Sequence, residues 1–292
     1  MRRSPALALL LCGCVAPAPP PAPAPAPVAP APRPAVPVAA APTVRLEGVP
    51  QQGALLAGTV RPGAVSLTLD GVPVPLADDG HFILGFDRDA PAAMTLVERR
   101  NGSVATLALT VAPRAWSIQR LDRLAKIPLP SAEFTARRPA ELTQIAAARA
   151  RDTGAQGWRQ RFVWPATGRI SGVFGSQRIY RGEPGAYHAG VDIARPAGTT
   201  VVAPADGTVV LAAASPFTLE GNLLIIDHGM GLNSAFLHLS RIDVAPGDHV
   251  RQGQPVGAIG ATGRATGPHL HWAMMWGKAR IDPQRAAGEM SR

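Results

Sequence analysis

The chain has 292 residues, which is about the length of two average domains. Hydrophobic residues make up 46% and charged residues 17%, and the 30 Gly and 31 Pro disfavour coiled coils and long-helix bundles while favouring short strands, turns and a low-complexity segment. The formal net charge of +9 indicates anionic surroundings, such as nucleic acid, lipid headgroups or cell-wall polymer.

Residues 1–14 have the pattern of a secretory signal. Arg2 and Arg3 precede an apolar run, Ala6–Val15, which is too short to span a bilayer because a span needs about 20 apolar residues. Leu11-Cys12-Gly13-Cys14 resembles a bacterial lipobox and predicts lipidation of Cys14, whereas an ordinary signal would be cut near residue 16 or 18. We expect export to the cell envelope, in the periplasm or anchored to the outer membrane. Beyond these two cysteines the chain has no disulfide and no thiolate metal ligand.

Residues 15–42 consist mainly of Pro, Ala and Val. Proline fixes φ and removes a backbone donor, so this segment predicts a semi-rigid polyproline spacer without helix or sheet. At about 3.1 Å per residue, the spacer reaches roughly 80 Å.

Residues 43–115 predict a small β-sandwich module. Short alternating runs are separated by turn signals, of which Asp70-Gly71 and Asn101-Gly102 are strong hairpin signals. The module has no cluster of His, Asp, Glu or Cys, so we assign it no chemistry.

Residues 116–160 predict a connector with one helix. The segment Pro139–Arg151 is rich in Ala, Leu and Glu, has Pro in its first turn and is followed by Gly154 as a stop. Its arginines predict a solvated face.

Residues 161–287 predict a β domain with Gly-rich turns that carries a metal site. His188 and Asp192 are four residues apart and would share a face of a strand, and zinc accepts both nitrogen and oxygen ligands. In His269-Leu270-His271 the two imidazoles also share a strand face, which favours metal binding because each ring needs a partner. Spacing alone leaves open which of these two histidines binds the metal.

A fifth candidate, His238, lies in the apolar run Phe236–Ser240. Taken alone, this residue would be interpreted as a buried histidine with satisfied hydrogen bonds.

The ordered series of motifs between Gly168 and Pro283 closely resembles the M23 family of zinc endopeptidases, of the lysostaphin or LytM type. The motifs are Gly172-Val173-Phe174-Gly175, His188–Asp192, Pro204–Val209, Gly221-Asn222, Ile226–Gly229, His238-Leu239-Ser240, Pro246-Gly247-Asp248, Gly260–Gly263 and Thr266–His271. The chain departs from the family's Tyr-x-His-Leu pattern at Phe236, which removes a hydroxyl but no ligand.

The resemblance implies an antiparallel β-sheet peptidase domain and assigns roles to individual residues. It makes His188, Asp192 and His271 the ligands of a Zn²⁺ cofactor, and His238 and His269 the catalytic pair. It also suggests substrate-binding roles for Asn222 and Tyr180, whereas His228 and His249 lie beside turns and are expected to be solvated.

The family resemblance and the predicted export together imply hydrolysis of peptide cross-links in peptidoglycan. A Gram-negative setting would make the target a D-alanyl to diaminopimelate bond. The alternative is a non-enzymatic relative that activates cell-wall amidases, which typically lacks several of the five residues. Partners in cell-wall division would fit either role.

Two other classes are disfavoured by the sequence. A lipoyl or biotinyl carrier needs a lysine at its hairpin tip, but the chain has none between Lys126 and Lys278. Nucleic-acid binding would rest on charge alone, without a recognition motif.

Overall fold

A computed structural model describes residues 38–39, 41–63, 66–123, 131–213 and 215–290. The predicted signal segment, Cys14 and nearly all of the predicted spacer lie outside these ranges. Residues Pro37–Arg292 form one compact unit. Within the described residues, no helix is both long and apolar enough to cross a bilayer.

The described residues are mainly β, as the sequence predicts. In chain order the strands are β1 (Val38–Ala39), β2 (Arg45–Leu46), β3 (Leu55–Thr59), β4 (Ser66–Leu69), β5 (Val72–Val74), β6 (His81–Gly85), β7 (Ala93–Arg100), β8 (Ser103–Thr110), β9 (Ile118–Leu121), β10 (Arg169–Gly172), β11 (Gln177–Tyr180), β12 (Glu183–Pro184), β13 (Val191–Ala194), β14 (Thr200–Val202), β15 (Gly207–Ala212), β16 (Asn222–Gly229), β17 (Leu232–Ile242), β18 (His249–Val250), β19 (Pro255–Ile259), β20 (His269–Trp276) and β21 (Ala279–Ile281). The helices are α1 (Ala132–Arg149), α2 (Pro283–Ala287) and a 3-10 turn at Gly157–Arg159.

The first eight strands form a sandwich of two sheets, in the orders β1-β8-β7-β4-β5 and β2-β3-β6. Both predicted hairpin turns are present, and Asp70 and Asn101 adopt φ values of 47° and 44°, each followed by a glycine with positive φ. This left-handed pair matches the right-handed twist of the flanking strands. The two sheets share one apolar core, which includes Leu67, Phe82 and Leu96.

The prediction that the spacer makes no sheet is wrong at its end. Val38 and Ala39 pair in parallel with Ser103 and Val104 at the edge of the sandwich. An edge strand bonds on one side only, and these two residues retain the backbone donors that proline lacks.

The predicted connector helix exists, but its predicted start is wrong. α1 begins seven residues earlier than Pro139, because the Ser131 hydroxyl caps it by accepting a hydrogen bond from the Phe134 N–H at 3.1 Å. The prediction that its arginines are solvated is also wrong for Arg138, which pairs with Glu220 of the following domain. These tertiary contacts outweigh the cost of a proline inside the helix. The short helix α2 was not expected from the sequence.

Ten strands form the large sheet of the C-terminal domain, in the order β10-β13-β20-β17-β16-β15-β18, with β14, β19 and β21 joined to it. Its apolar core is continuous with that of the sandwich. At Gly85 a Cβ atom would lie 2.8 Å from side-chain atoms of both Trp276 and Ile281, so β6 packs directly on β20 and β21. A fourth sheet, β12-β11-β9, joins the connector to the segment that precedes His188.

Candidate metal centre

Strand pairing sets the positions of Asp192 and His271. The two residues are direct partners in the antiparallel pair β13 and β20. Along β20, Leu270 is fully buried, while His269 and His271 on either side of it are half-buried. The alternation of a strand therefore directs both imidazoles away from the core, as the spacing predicts.

His188 lies in the loop before β13, so the prediction that it shares a strand face with Asp192 is wrong. Its imidazole Nδ1 lies 3.1 Å from the carbonyl oxygen of Val173. The loop requires a glycine at position 190, because a Cβ there would lie 2.4 Å from the Trp272 carbonyl oxygen and 2.7 Å from His271 Nε2. The backbone just before β13 therefore passes so close to β20 that no side chain fits at position 190.

Three ligand atoms converge at this point. His271 Nδ1 lies 2.8 Å from Asp192 Oδ1, His188 Nε2 lies 3.0 Å from the same oxygen, and the two nitrogens are 3.1 Å apart. Atoms that share a tetrahedral Zn²⁺ ion with bonds of 2.0–2.1 Å lie roughly 3.3 Å from one another. The spacing and the two-nitrogen, one-oxygen donor set therefore fit zinc, and three protein ligands leave a position open.

The pKa of each of these three residues is shifted by burial and by at least one of the other two. Burial raises the pKa of Asp192, but the hydrogen bonds from His188 and His271 outweigh it and hold that pKa well below its usual range. Burial lowers the pKa of His188, but the hydrogen bond and charge of Asp192 outweigh it and raise the pKa overall. Burial lowers the pKa of His271 despite its bond to Asp192. A fixed carboxylate beside two imidazoles is a cation-binding arrangement.

His238 and His269 lie beside the triad, with ring centroids 4.8 Å apart. His238 Nδ1 lies 2.8 Å from the Thr262 carbonyl oxygen, and His269 Nδ1 lies 2.8 Å from the Gly267 carbonyl oxygen. A carbonyl only accepts, so each Nδ1 carries a proton, and Nε2 is the nitrogen left available for chemistry. Burial, reinforced by the neighbouring histidines, lowers the pKa of His238 to about 4, so its ring is neutral at pH 7.

The backbone of His238 is unusual, with a φ of 64°. A non-glycine residue in the left-handed region is held there by its surroundings, and such residues concentrate at functional sites. Here the His238 N–H donates to the Glu220 carbonyl oxygen at 2.8 Å, outside the ladder of β17.

Sequence reasoning missed the carbonyl groups that orient the imidazoles. Val173, Thr262 and Gly267 supply them, and all three residues lie within motifs of the ordered series. The available signal was the clustering of glycines beside these positions, which marks turns whose carbonyls are free to accept bonds.

The model of the family described as Peptidase family M23 matches residues 186–283, which include all five candidate residues. This part of the chain is an M23 peptidase domain.

Curated relatives of the M23 domain include the peptidoglycan DD-endopeptidase ShyA of Vibrio cholerae, 40% identical over 117 residues, which are 40% of this chain and 27% of that protein. The DD-carboxypeptidase/endopeptidase Mpg of Neisseria meningitidis is 40% identical over 120 residues, which are 40% of this chain and 25% of that protein. The matching region thus spans about a quarter of the length of these relatives.

A similar solved structure extends beyond the M23 domain. It is an M23 peptidase candidate from Pseudomonas aeruginosa, 28% identical, with a TM-score of 0.64. The match covers 82% of this chain and 96% of that one, so the likeness includes much of the β sandwich.

Of the two further residues predicted to bind substrate, Asn222 contacts the loop beside His238 and Tyr180 lies on another sheet. The Asn222 side chain donates to the Leu239 carbonyl oxygen at 2.8 Å, and its N–H donates to Thr262 Oγ1 at 2.9 Å. Asn222 therefore supports the loop that orients His238. Tyr180 lies on β11 of the sheet β12-β11-β9, paired with Glu183 and Leu121, and not on the sheet that carries Asp192 and His271.

Of the two histidines expected to be solvated in the M23 domain, His249 is exposed, as predicted. His228 is fully buried, so that prediction is wrong. Its Nδ1–H donates to the Asp206 carbonyl oxygen at 2.8 Å, and its Nε2 accepts from the Ser234 hydroxyl at 2.9 Å. Both ring nitrogens are satisfied inside the core, which makes the burial tolerable.

Proposed function

We propose that the chain is a zinc-dependent endopeptidase that hydrolyses peptide cross-links of peptidoglycan. The observation that carries the proposal is the triangle of His188 Nε2, Asp192 Oδ1 and His271 Nδ1, with edges of 2.8–3.1 Å, beside the imidazoles of His238 and His269. The names of the relatives support the substrate class, since the Vibrio protein is a peptidoglycan DD-endopeptidase.

His188, Asp192 and His271 would hold the zinc ion. When bound, zinc lowers the pKa of a coordinated water to about 7 and polarises the scissile carbonyl. The carboxylate of Asp192 also offsets part of the ion's charge, and the Val173 carbonyl fixes the tautomer in which His188 Nε2 faces the metal.

His238 and His269 would move the proton. Each has its Nδ1–H held by a carbonyl, so in the neutral ring Nε2 can accept a proton from the attacking water and return it to the leaving amine. Once protonated, either ring would donate a hydrogen bond to the developing oxyanion.

The amidase-activator alternative requires a degenerate site. All five residues are present in this chain and lie close together in space, so the enzymatic function is preferred. The discriminating measurement is metal content after purification and zinc addition, because an activator without a functional site would retain no zinc.

The substrate is tested by digestion of purified sacculi, with product fragments identified by mass. We expect the zinc-loaded full chain to release fragments cut at the D-alanyl to diaminopimelate bond, and His269→Ala to release them at least about 10²-fold more slowly. Intact sacculi after treatment with the zinc-loaded protein would overturn the proposed function.

We also propose that the protein is exported and anchored to a membrane of the cell envelope through lipid on Cys14, where a spacer would let the enzyme reach the wall. Cys14→Ser should move the protein from the membrane fraction to the soluble periplasm. An unchanged distribution would contradict the anchor without bearing on catalysis.

A further inference from the structure

Of the three metal-ligand candidates, His188 alone is not on a strand. Asp192 and His271 are fixed by the ladder between β13 and β20. His188 is held by the turn Val173–Ser176: its N–H donates to the Ser176 carbonyl at 2.8 Å, and its own carbonyl accepts from the Gly175 N–H at 2.8 Å. The position of His188 therefore depends on whatever fixes this turn.

A side chain of the β sandwich, Arg88, holds the turn from outside. Its Nε donates to the Gly175 carbonyl oxygen at 3.0 Å, and its Nη2 donates to Gln177 Oε1 at 3.0 Å. The Gln177 amide in turn donates to the Gly185 carbonyl oxygen at 2.8 Å, so one guanidinium ties together both ends of the segment before His188. Arg88 is only 6% exposed, which makes these bonds costly to lose.

Asp87, the residue before Arg88, bonds the residue that directly precedes His188. Tyr187 directly precedes His188, and its hydroxyl donates to Asp87 Oδ1 at 3.2 Å. The Arg88 guanidinium carbon lies 4.8 Å from the centroid of the Tyr187 ring, within the range of a cation–π interaction. The second oxygen of Asp87 accepts from the Arg280 N–H at 2.9 Å, which ties the same loop to the M23 sheet.

A glycine is required at position 175, because the Trp116 ring packs directly on the turn there. Gly175 has a φ of 80°, and a Cβ there would lie 2.1 Å from Trp116 Cε3. The Trp116 ring thus covers the turn on one side while Arg88 bonds its carbonyl. The turn is fixed by groups from outside the M23 domain.

We infer that Arg88 is a positioning residue for the metal ligand His188, so that the β sandwich sets the metal affinity of the M23 site. The path has two hydrogen bonds, from Arg88 Nε to the Gly175 carbonyl and from the Gly175 N–H to the His188 carbonyl. Loss of a group that orients a ligand typically weakens metal binding about 10- to 100-fold. The inference rests on the metal centre of the proposed function.

The test measures metal affinity of the full chain without substrate. Zn²⁺ affinity is determined by competition with a chromophoric chelator, and the visible spectrum of the Co²⁺ form reports the ligand geometry. Arg88→Ala should weaken Zn²⁺ binding at least about tenfold and alter the Co²⁺ spectrum. Arg88→Lys keeps a cation near Tyr187 but cannot bond Gly175 and Gln177 as a fork, so it should show a smaller loss of the same kind.

The matched control is Arg100→Ala. Arg100 bonds Glu98 and the carbonyls of Arg61 and Pro62, all within the sandwich, so its loss should lower the melting temperature but leave the Co²⁺ spectrum unchanged. If both Arg88 variants bind Zn²⁺ as tightly as wild type, the inference is wrong even where sacculi are digested. If wild type binds zinc but digests nothing, the proposed function fails while the positioning role of Arg88 stands.

Discussion

His238 Nδ1 lies 2.8 Å from the carbonyl oxygen of Thr262, and this contact decides which nitrogen of the imidazole is available for chemistry. The same arrangement recurs at His269 with Gly267 and at His188 with Val173. In each case the carbonyl holds the proton on Nδ1 and leaves Nε2 facing the cluster. His271 is the exception, because its Nδ1 faces the other two ligand candidates, Asp192 and His188.

Substitution of the two histidines in His269-Leu270-His271 should have different effects on zinc binding. His271→Ala removes a ligand atom and should abolish zinc binding and activity, whereas His269→Ala should keep zinc and lose activity by about 10²-fold or more, because it removes a proton-transfer group. Metal content is measured by atomic absorption and activity on purified sacculi.

Equal loss of metal in both variants would contradict this assignment of roles. His249→Ala is the control for deletion of an exposed imidazole in the same domain, and it should change neither metal content nor activity.

Gly190 should not tolerate a methyl group. A Cβ at this position would lie 2.4 Å from the Trp272 carbonyl oxygen and 2.7 Å from His271 Nε2, so Gly190→Ala must push β20 or the His271 ring away. We expect a loss of about 1–3 kcal/mol in the free energy of unfolding and weaker zinc binding. The measurements are chemical denaturation and chelator competition.

Gly267→Ala is the matched control, because a Cβ there would meet nothing within 4 Å. It should leave zinc affinity unchanged. Wild-type zinc affinity in Gly190→Ala would show that the loop before β13 can yield without moving the ligands.

The sequence predicted the parts of this fold that depend on local pattern. The Asp70-Gly71 and Asn101-Gly102 turns and the alternation around Leu270 are local, and each appears in the structure. The start of α1 was wrong because Pro139 is a strong local signal, whereas the helix is stabilised by a cap at Ser131 and by tertiary contacts.

The positions of the site residues depend on contacts that sequence periodicity does not contain. The spacing of His188 and Asp192 suggests one strand, but His188 is held by the turn at Gly175. That turn is bonded by Arg88, which is 100 residues before His188 in the chain. His228 appears beside a turn in the sequence, yet the packing of the sheet buries it beside Ser234. A single sequence does not reveal such nonlocal partners.

The ion pair between Arg138 and Glu220 should stabilise the packing of α1 on the M23 domain. Two short bonds of 2.6 and 2.8 Å join the groups, whose side chains are 17% and 10% exposed. Arg138→Met leaves Glu220 buried without its partner, so we expect a loss of about 3 kcal/mol in the free energy of unfolding. Chemical denaturation provides the measurement.

Replacement of both partners, Arg138→Met with Glu220→Met, should recover most of that loss, since the Glu220 charge is removed. The other carboxylate that Arg138 contacts, on Glu141, keeps Arg137 and Thr218 as partners.

Arg241→Met is the exposed control. Among the described residues Arg241 forms an ion pair only with Asp243, its side chain is 56% exposed, and its loss should cost less than about 1 kcal/mol. Equal losses for Arg241→Met and Arg138→Met would mean that burial of the Arg138–Glu220 pair does not add to its effect on stability.

The buried imidazole of His228 should make the stability of the protein depend on pH. Burial lowers the pKa of His228 to about 4, whereas the unfolded chain has a histidine pKa near 6.5. Between these values the unfolded state binds more protons, so the free energy of unfolding should fall by an amount on the order of 3 kcal/mol as the pH decreases from about 6.5 to about 4. Denaturation curves across this range should show a smaller slope with pH for His228→Gln than for wild type, although the variant is less stable throughout. Identical slopes in wild type and His228→Gln would assign the acid sensitivity to other groups.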